Sequence, residues 1–374
     1  MRIPNVVCVS VLVAAAWLAP LGVAQQTKQS TAPKAHGYEV TLPVTVRDKH
    51  GLVTTVQNSD LTVTEDGRAQ TVQSLTRESS LPYRLGLLVD TSRGMSGALP
   101  AERKASGEFI DGFLPAQPDN KNQMFLLHFD REVELLQDFT DAREKLHREL
   151  DDMGSTHAAQ ADTAQGPETA DDERPARHGH NGTQLYDAIY LACNELMKSQ
   201  HGRKALVVFS NGADHGSKET MNEAVDAADR ANVEVYTIFF KGESEKNESG
   251  IPTNNRRSRG GYPGGGGGYP GGGGYPGGGN GKRTPEPTSA TGVDGKKIMQ
   301  EIATRTGGHA FEAKKTSDLE PIYKLIDEDL RGQYLLTYTP DKPDTEGGFH
   351  KVAVTTDKKD WTVSTREGYY APEK

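Results

Sequence analysis

The chain is short of three things: cysteine, positive charge, and long apolar runs beyond its first segment. Only two cysteines occur in 374 residues. Cys8 lies in the opening segment and Cys193 far downstream. With that opening segment removed, no internal disulfide can form, so stability has to come from a packed core. Cys193 falls on the apolar side of a predicted helix and is expected to be a buried thiol. The formal net charge is −9. An acidic chain lacks the broad basic face that neutralises phosphates, which excludes general nucleic-acid binding. The cluster Arg256, Arg257 and Arg259 is small and lies in a polar segment. After the first segment no apolar run is long enough to cross a bilayer.

The opening MRIPNVVCVSVLVAAAWLAPLGVA combines one basic residue, an apolar stretch and small residues before Gln25. That pattern predicts a secretory signal over residues 1–24, cleaved after Ala24, and an exported product: periplasmic, cell-surface or extracellular. Residues 25–36 read as a flexible polar arm. The length suits about two domains at ~150 residues each.

In YEVTLPVTVRD, Val40, Leu42, Val44 and Val46 alternate onto one face, predicting a strand, with Pro43 arguing for an edge position. In DLTVTEDGRAQTVQSL, Asp66-Gly67 marks a hairpin, because a type I′ turn needs positive φ. Residues 38–79 are thus the first part of a β-module. The pattern then changes to fully apolar strands, LGLLVD, MFLLHF, KALVVFS and VEVYTIFF, with VELLQDF as a hairpin neighbour of the second. Helical patterns fall between them at 98–114, at TDAREKLHREL with Thr140 as N-cap, at 184–197 and near 217–231. KKIMQEIATRTGG, HAFEA and DLEPIYKLIDEDL follow as helix, edge strand and helix. This alternation predicts an α/β fold over 82–331: a doubly wound, mostly parallel sheet with helices on both faces. Two insertions interrupt it, 154–180 and 242–292, the second rich in Gly, Tyr and Pro. Their composition cannot bury enough apolar area to offset ordering entropy. YLLTYTP, HKVAVTT and WTVSTREGYY return to β over 333–372. These strands are expected to pair with those before the α/β part in a small β-sandwich, since the termini of an α/β domain can lie close together.

Ligands of open α/β sheets bind beyond the carboxyl ends of the strands. The residues there are Asp90, Thr91 and Ser92; Asn181, Gly182 and Thr183; and Ser210, Asn211 and Asp214. The segments LLVDTSRGM, NGTQLYDAI and VVFSNGADHGS resemble the three motifs of a von Willebrand factor type A (vWA) domain. DLTVTEDGRAQTV before them, and LRGQYLLTYTP, FHKVAVTT and REGYYAP after them, look like the secreted bacterial vWFA-related family first described for acidobacteria. The likeness covers nearly all of 38–372 outside the two insertions.

That resemblance implies a metal-ion-dependent adhesion site, usually carrying Mg²⁺, on an Asp-x-Ser-x-Ser, Thr and Asp pattern. Asp90, Ser92 and Thr183 match it. Gly94 replaces the last serine and Asn211 the final aspartate, so the site is degenerate. Mg²⁺ keeps waters when protein ligands run short, so Asp90, Ser92, Thr183 and the Asn211 carbonyl could still hold it, with Asp214 or Ser96 as substitutes. Against this stands the positive charge of Arg93. Two unit charges ~4 Å apart interact by ~4 kcal/mol at an effective dielectric near 20, so losing one carboxylate matters.

Other constellations carry less. Gly281-Lys282 is followed by Arg283 where a phosphate loop needs Ser or Thr. Ser210 has Val208 where a nucleophile elbow needs glycine. His157, His178 and His180 could bind Zn²⁺ or Cu²⁺, but in a flexible loop such histidines are mostly incidental. The expectation is an exported, non-enzymatic module that docks a protein partner at the top of the α/β part. The ligand-binding candidates beside the metal set are Thr91, Arg93 and Ser96. The alternatives are a structural envelope component tethered by the Gly/Tyr/Pro insertion, with Tyr262, Tyr269 and Tyr275 as weak contact points, and, less favoured, a hydrolase.

Overall fold

The computed structural model describes residues 38–77, 81–114, 121–153, 182–241, 294–343 and 347–372. The segments expected to be a signal (1–24) and a polar arm (25–36), the two insertions, Asn181 and Gly281-Lys282 lie outside the described residues. No described helix is long and apolar enough to cross a membrane.

The first described part is β throughout: β1 Val40–Asp48, β2 Gly51–Leu52, β3 Thr62–Glu65, β4 Arg68–Gln70 and β5 Ser74–Thr76. Asp66 and Gly67 join β3 to β4 with φ of 49° and 77°, the two left-handed residues that the hairpin motif requires. The chain then enters β6 Tyr83–Asp90, α1 Leu99–Phe113, β7 Gln123–Phe129, β8 Val133–Thr140 and α2 Arg143–Asp152. It resumes with α3 Leu185–Leu191, which widens into a π-turn over Ala192–Met197, then β9 Arg203–Ser210, α4 Met221–Ala231 and β10 Glu234–Phe240. Helix α5 Gly295–Thr306, β11 Ala310–Ala313 and α6 Leu319–Gly332 complete this part. Four short strands end the chain: β12 Tyr334–Tyr338, β13 Phe349–Thr355, β14 Thr362–Ser364 and β15 Gly368–Tyr370.

The six-stranded sheet has the order β11-β10-β9-β6-β7-β8 and is parallel except for β8. Its strands are apolar on both faces because both are covered. Leu85, Leu87 and Val89 of β6 pack with α1, α2 and α6 on one side. Leu88, between them in sequence, packs with α3, α4 and α5 on the other. Leu319, Ile322, Ile326 and Leu330 of α6 are all buried, as their spacing predicts. Cys193 is fully buried in the second of these cores. The strand order reverses between β6 and β9, so the crevice beyond their carboxyl ends is the topological switch point.

The flanking strands form two antiparallel sheets, β14-β1-β12-β5 and β15-β13-β3-β4, so strands from before and after the α/β part pair with one another. Leu42, Val44, Val63, Leu336, Val352 and their neighbours make one apolar core shared by both sheets. One local expectation holds and one changes. Strand β1 pairs on one side at a time around Pro43: Val40–Val44 with β12, and Thr45–Arg47 with β14. Pro43 sits in the half with one neighbour, where a missing N–H is tolerated. Thr140 does not cap α2. It is the last residue of β8, paired with Met124, and its hydroxyl accepts the Ala142 N–H at 3.1 Å.

Candidate functional site at the sheet rim

Asp90 ends β6 and is wholly buried. Its Oδ1 accepts the Ser92 backbone N–H at 2.9 Å, and its Oδ2 accepts the Ser210 hydroxyl at 2.6 Å. The second bond ties the carboxyl ends of β6 and β9 together across the switch point. Burial raises the pKa of Asp90 and Asp130 adds to the rise, while hydrogen bonds from Ser210 and Ser92 oppose it. Ser210 Oγ in turn accepts the Gly212 N–H at 3.0 Å.

The neighbouring loops are knitted to this pair. The Gln184 N–H reaches the Asp130 carbonyl, and the His215 N–H reaches the Thr183 carbonyl, each at 3.0 Å. Thr183 is thereby held, buried, beside the loop that carries Asn211. Gly212, at φ 71°, meets Gly295 so closely that a Cβ on it would lie 2.2 Å from the Gly295 carbonyl oxygen. Helix α5 therefore starts against the rim.

Asn211 decides what the rim offers. Its Oδ1 accepts the Ala213 N–H at 2.8 Å. An N–H cannot donate to an NH₂ group, so the bond fixes the amide's orientation. Nδ2 then faces Gly94, 3.1 Å from where a Cβ would stand there. Arg93, the residue before Gly94, is exposed and opens a 3-10 turn over Arg93–Met95.

Five of the sequence candidates thus belong to the loops of this rim: Asp90, Ser92, Arg93, Thr183 and Asn211. Three are committed elsewhere. Thr91 Oγ1 lies 2.9 Å from His128 Nδ1. Ser96 Oγ donates to the Arg93 carbonyl at 2.9 Å. Asp214 Oδ2 accepts the Tyr186 N–H at 3.1 Å and the Ser217 hydroxyl at 2.5 Å, so it holds the first turn of α3. Ser210 and Asp130 have a larger part in the rim than the motifs assigned them. Asp130 follows β7 much as Asp90 ends β6, and that shared place was its signal.

The rim offers a divalent cation the Asp90 carboxylate, with protein donors on both oxygens, the hydroxyls of the buried Ser92 and Thr183, and an amide NH₂ at Asn211. Mg²⁺ takes hard oxygen ligands in near-octahedral geometry, and this set lacks the second carboxylate and the last serine hydroxyl of the adhesion-site pattern.

No family model matches the chain, and no curated relative matches it. Solved structures do. Proximal thread matrix protein 1 from the mussel byssus is similar at 10% identity over 71% of this chain and 51% of that one, with a TM-score of 0.43. The chain spans about half the length of that protein's structures. One of them is described as having a zinc-occupied metal-ion-dependent adhesion motif. An aerotolerance-related membrane protein from Bacteroides fragilis matches at 12% identity over 66% of this chain and 98% of that one, TM-score 0.39. The von Willebrand factor domain of a type V pili tip protein from Porphyromonas gingivalis matches at 11% over 66% and 96%, TM-score 0.38. Two of the matching structures are described as von Willebrand factor or VWA domains, the kind of domain the rim motifs resemble. At such identities and TM-scores no residue's role carries over.

Proposed function

We propose that the chain is an exported, non-enzymatic binding module of vWA type, carried on a β-sandwich of its flanking strands, whose rim receives a carboxylate of a protein partner without a resident cation. The observation that carries this reading is the set of Asn211. Its NH₂ group stands beside Gly94, where the family pattern has a serine hydroxyl, and Arg93 lies next to it in the chain. A cation would meet an amide donor there, with the positive charge of Arg93 one residue away in the chain. A carboxylate meets two partners of the right sign, since guanidinium binds carboxylate through two parallel N–H bonds. The buried Asp90 is spent on holding β6 and β9 together, so it contributes geometry more than charge.

Among the described rim residues, the serine at the end of β9 is not set up for hydrolysis. Ser210 donates to Asp90 and accepts from Gly212, which leaves it inside the structure as a brace and not as a nucleophile.

The test is affinity capture from an extract of the producing cells, with EDTA throughout. The wild-type chain should retain a partner in chelator, and Arg93→Ala and Asn211→Ala should each weaken retention by about tenfold or more, as loss of a charge-assisted bond does. Capture that disappears in EDTA, or that both substitutions leave unchanged, refutes the reading.

A further inference from the structure

Away from the rim, the Asp66-Gly67 turn brings two carboxylates and an imidazole together. In an extended strand, consecutive side chains point to opposite faces. Glu65 is the last residue of β3 and points into the apolar core, 1% exposed. Asp66 would point away from it, but its left-handed φ of 49° folds it back. Both carboxylates then face His350 of β13, whose Nδ1 lies 2.9 Å from Asp66 Oδ2 and 3.9 Å from Glu65 Oε1. The three groups' ligand atoms fall within 4.8 Å of one another.

Each carboxylate has one oxygen already anchored by the protein. Glu65 Oε2 accepts the hydroxyls of Tyr338 at 2.7 Å and Tyr369 at 2.9 Å, and Tyr369 is in turn 3.1 Å from the Tyr38 hydroxyl. Asp66 Oδ1 accepts the Lys351 N–H at 3.1 Å. That leaves Glu65 Oε1 and Asp66 Oδ2 on the histidine side. The imidazole is stacked on the Tyr369 ring, with centroids 5.5 Å apart. Partners of this kind, which orient ligands before the metal arrives, are what metal sites rely on.

Charge points the same way. Buried carboxylates are ordinarily paired with a cation or a metal. Among the described residues no lysine or arginine makes an ion pair with Glu65; its one such neighbour is His350. Asp66 has Arg68 at 4.0 Å, the limit of an ion pair, and both side chains are exposed.

We propose that Glu65, Asp66 and His350 form a binding site for a divalent transition metal with borderline-soft preference, Zn²⁺ being the best match. The set is two oxygens and one nitrogen, with the exposed Asp66 side left for a water or an outside ligand. Zn²⁺ accepts such three-ligand sets at about 2.0–2.2 Å, which places ligand atoms roughly 3.3 Å apart in a tetrahedron. The separations of 2.9 Å and 3.9 Å from His350 Nδ1 bracket that value, so closure needs only a small movement of the turn. As a ligand, His350 would offer the Nδ1 lone pair, with the ring proton on Nε2.

The experiment uses the mature chain without an affinity tag, stripped with chelator, dialysed and titrated with Co²⁺ and then Zn²⁺. The readouts are visible Co²⁺ absorption, which tetrahedral coordination intensifies, and the heat of Zn²⁺ binding. One saturable site is expected, with Zn²⁺ displacing Co²⁺. Asp66→Asn lies in an exposed turn and keeps an acceptor for the Lys351 N–H, so it tests the ligand without unmaking the fold. It and His350→Gln should each weaken binding by at least about tenfold. Ser92→Ala at the rim, and a triple alanine replacement of His157, His178 and His180, should leave binding unchanged. No saturable binding, binding that survives both Asp66→Asn and His350→Gln, or binding abolished by the rim or triple-histidine variants overturns the assignment.

Discussion

Gly94 and Asn211 share one space: a Cβ on the first would lie 3.1 Å from Nδ2 of the second. The two departures from the adhesion-site pattern are therefore one structural unit. Gly94→Ser alone should crowd the amide and destabilise the protein by about 1 kcal/mol, the low end of overpacking costs. Gly94→Ser with Asn211→Asp supplies a hydroxyl and a second carboxylate. Titration calorimetry should show Mg²⁺ binding by the double variant, and none by the wild type at the rim. Equal Mg²⁺ heats from both proteins would mean that the Asn211 amide does not keep the cation out.

Asp214 offers a contrast. It looks like a spare ligand but accepts the Tyr186 N–H, one of the donors a helix start leaves unpaired. Asp214→Ala should lower stability by about 1–2 kcal/mol in urea unfolding, as loss of a cap does, and leave partner capture by the folded protein unchanged. A loss of capture without a loss of stability would return Asp214 to the binding set.

Glu102, in α1, is fully buried, and burial pushes its pKa up to about 8, against the hydrogen bond from the Tyr323 hydroxyl. A carboxyl raised on folding holds its proton more tightly in the native state. Its stabilising contribution is complete below the unfolded value and is lost as pH rises toward about 8. Unfolding free energy should thus decline between pH ~4.5 and ~8 by at most about 1.4 kcal/mol per pH unit from this group. Glu102→Gln should remove that part of the slope. A wild-type and variant difference that stays flat across this range would contradict it.

Cys193 has no exposed surface, and burial raises its thiol pKa far above the ordinary value. Reactivity needs an accessible thiolate. A thiol reagent should leave Cys193 unmodified in the native protein at neutral pH and label it in denaturant. Rapid labelling of the folded protein would show that the core around α3 opens.

The α/β sheet was legible because burial on both faces writes strands such as LGLLVD and KALVVFS as continuous apolar runs. The Asp66-Gly67 hairpin was legible because its turn needs a backbone that few residues adopt. Thr140 misled because a helix-cap signal competes with strand pairing to Met124, and the pairing is a tertiary contact that local sequence does not encode. The π-turn over Ala192–Met197 left no mark in a helical periodicity one residue different from its own. At the rim, Asp90, Ser92, Thr183 and Asn211 could be collected from strand ends. The direction of the Asn211 amide could not, since it depends on where the Ala213 N–H lies. Glu65 and Asp66 meeting His350 was beyond reach for a simpler reason: Asp66 and His350 stand 284 positions apart, and only the shared turn geometry joins them.

Strands β1 and β12 lie antiparallel, with Val40 opposite Tyr338 and Val44 opposite Tyr334, so they clasp the whole α/β part between them. A tensile load applied at Val40 and Tyr338 would run through that clasp and short-circuit the large sheet. The bonds between β1 and β12 would open one after another, like a zipper, before any strain reached Asp90 and Ser210. A module hung from its outer strands could therefore be stretched while its rim kept its shape.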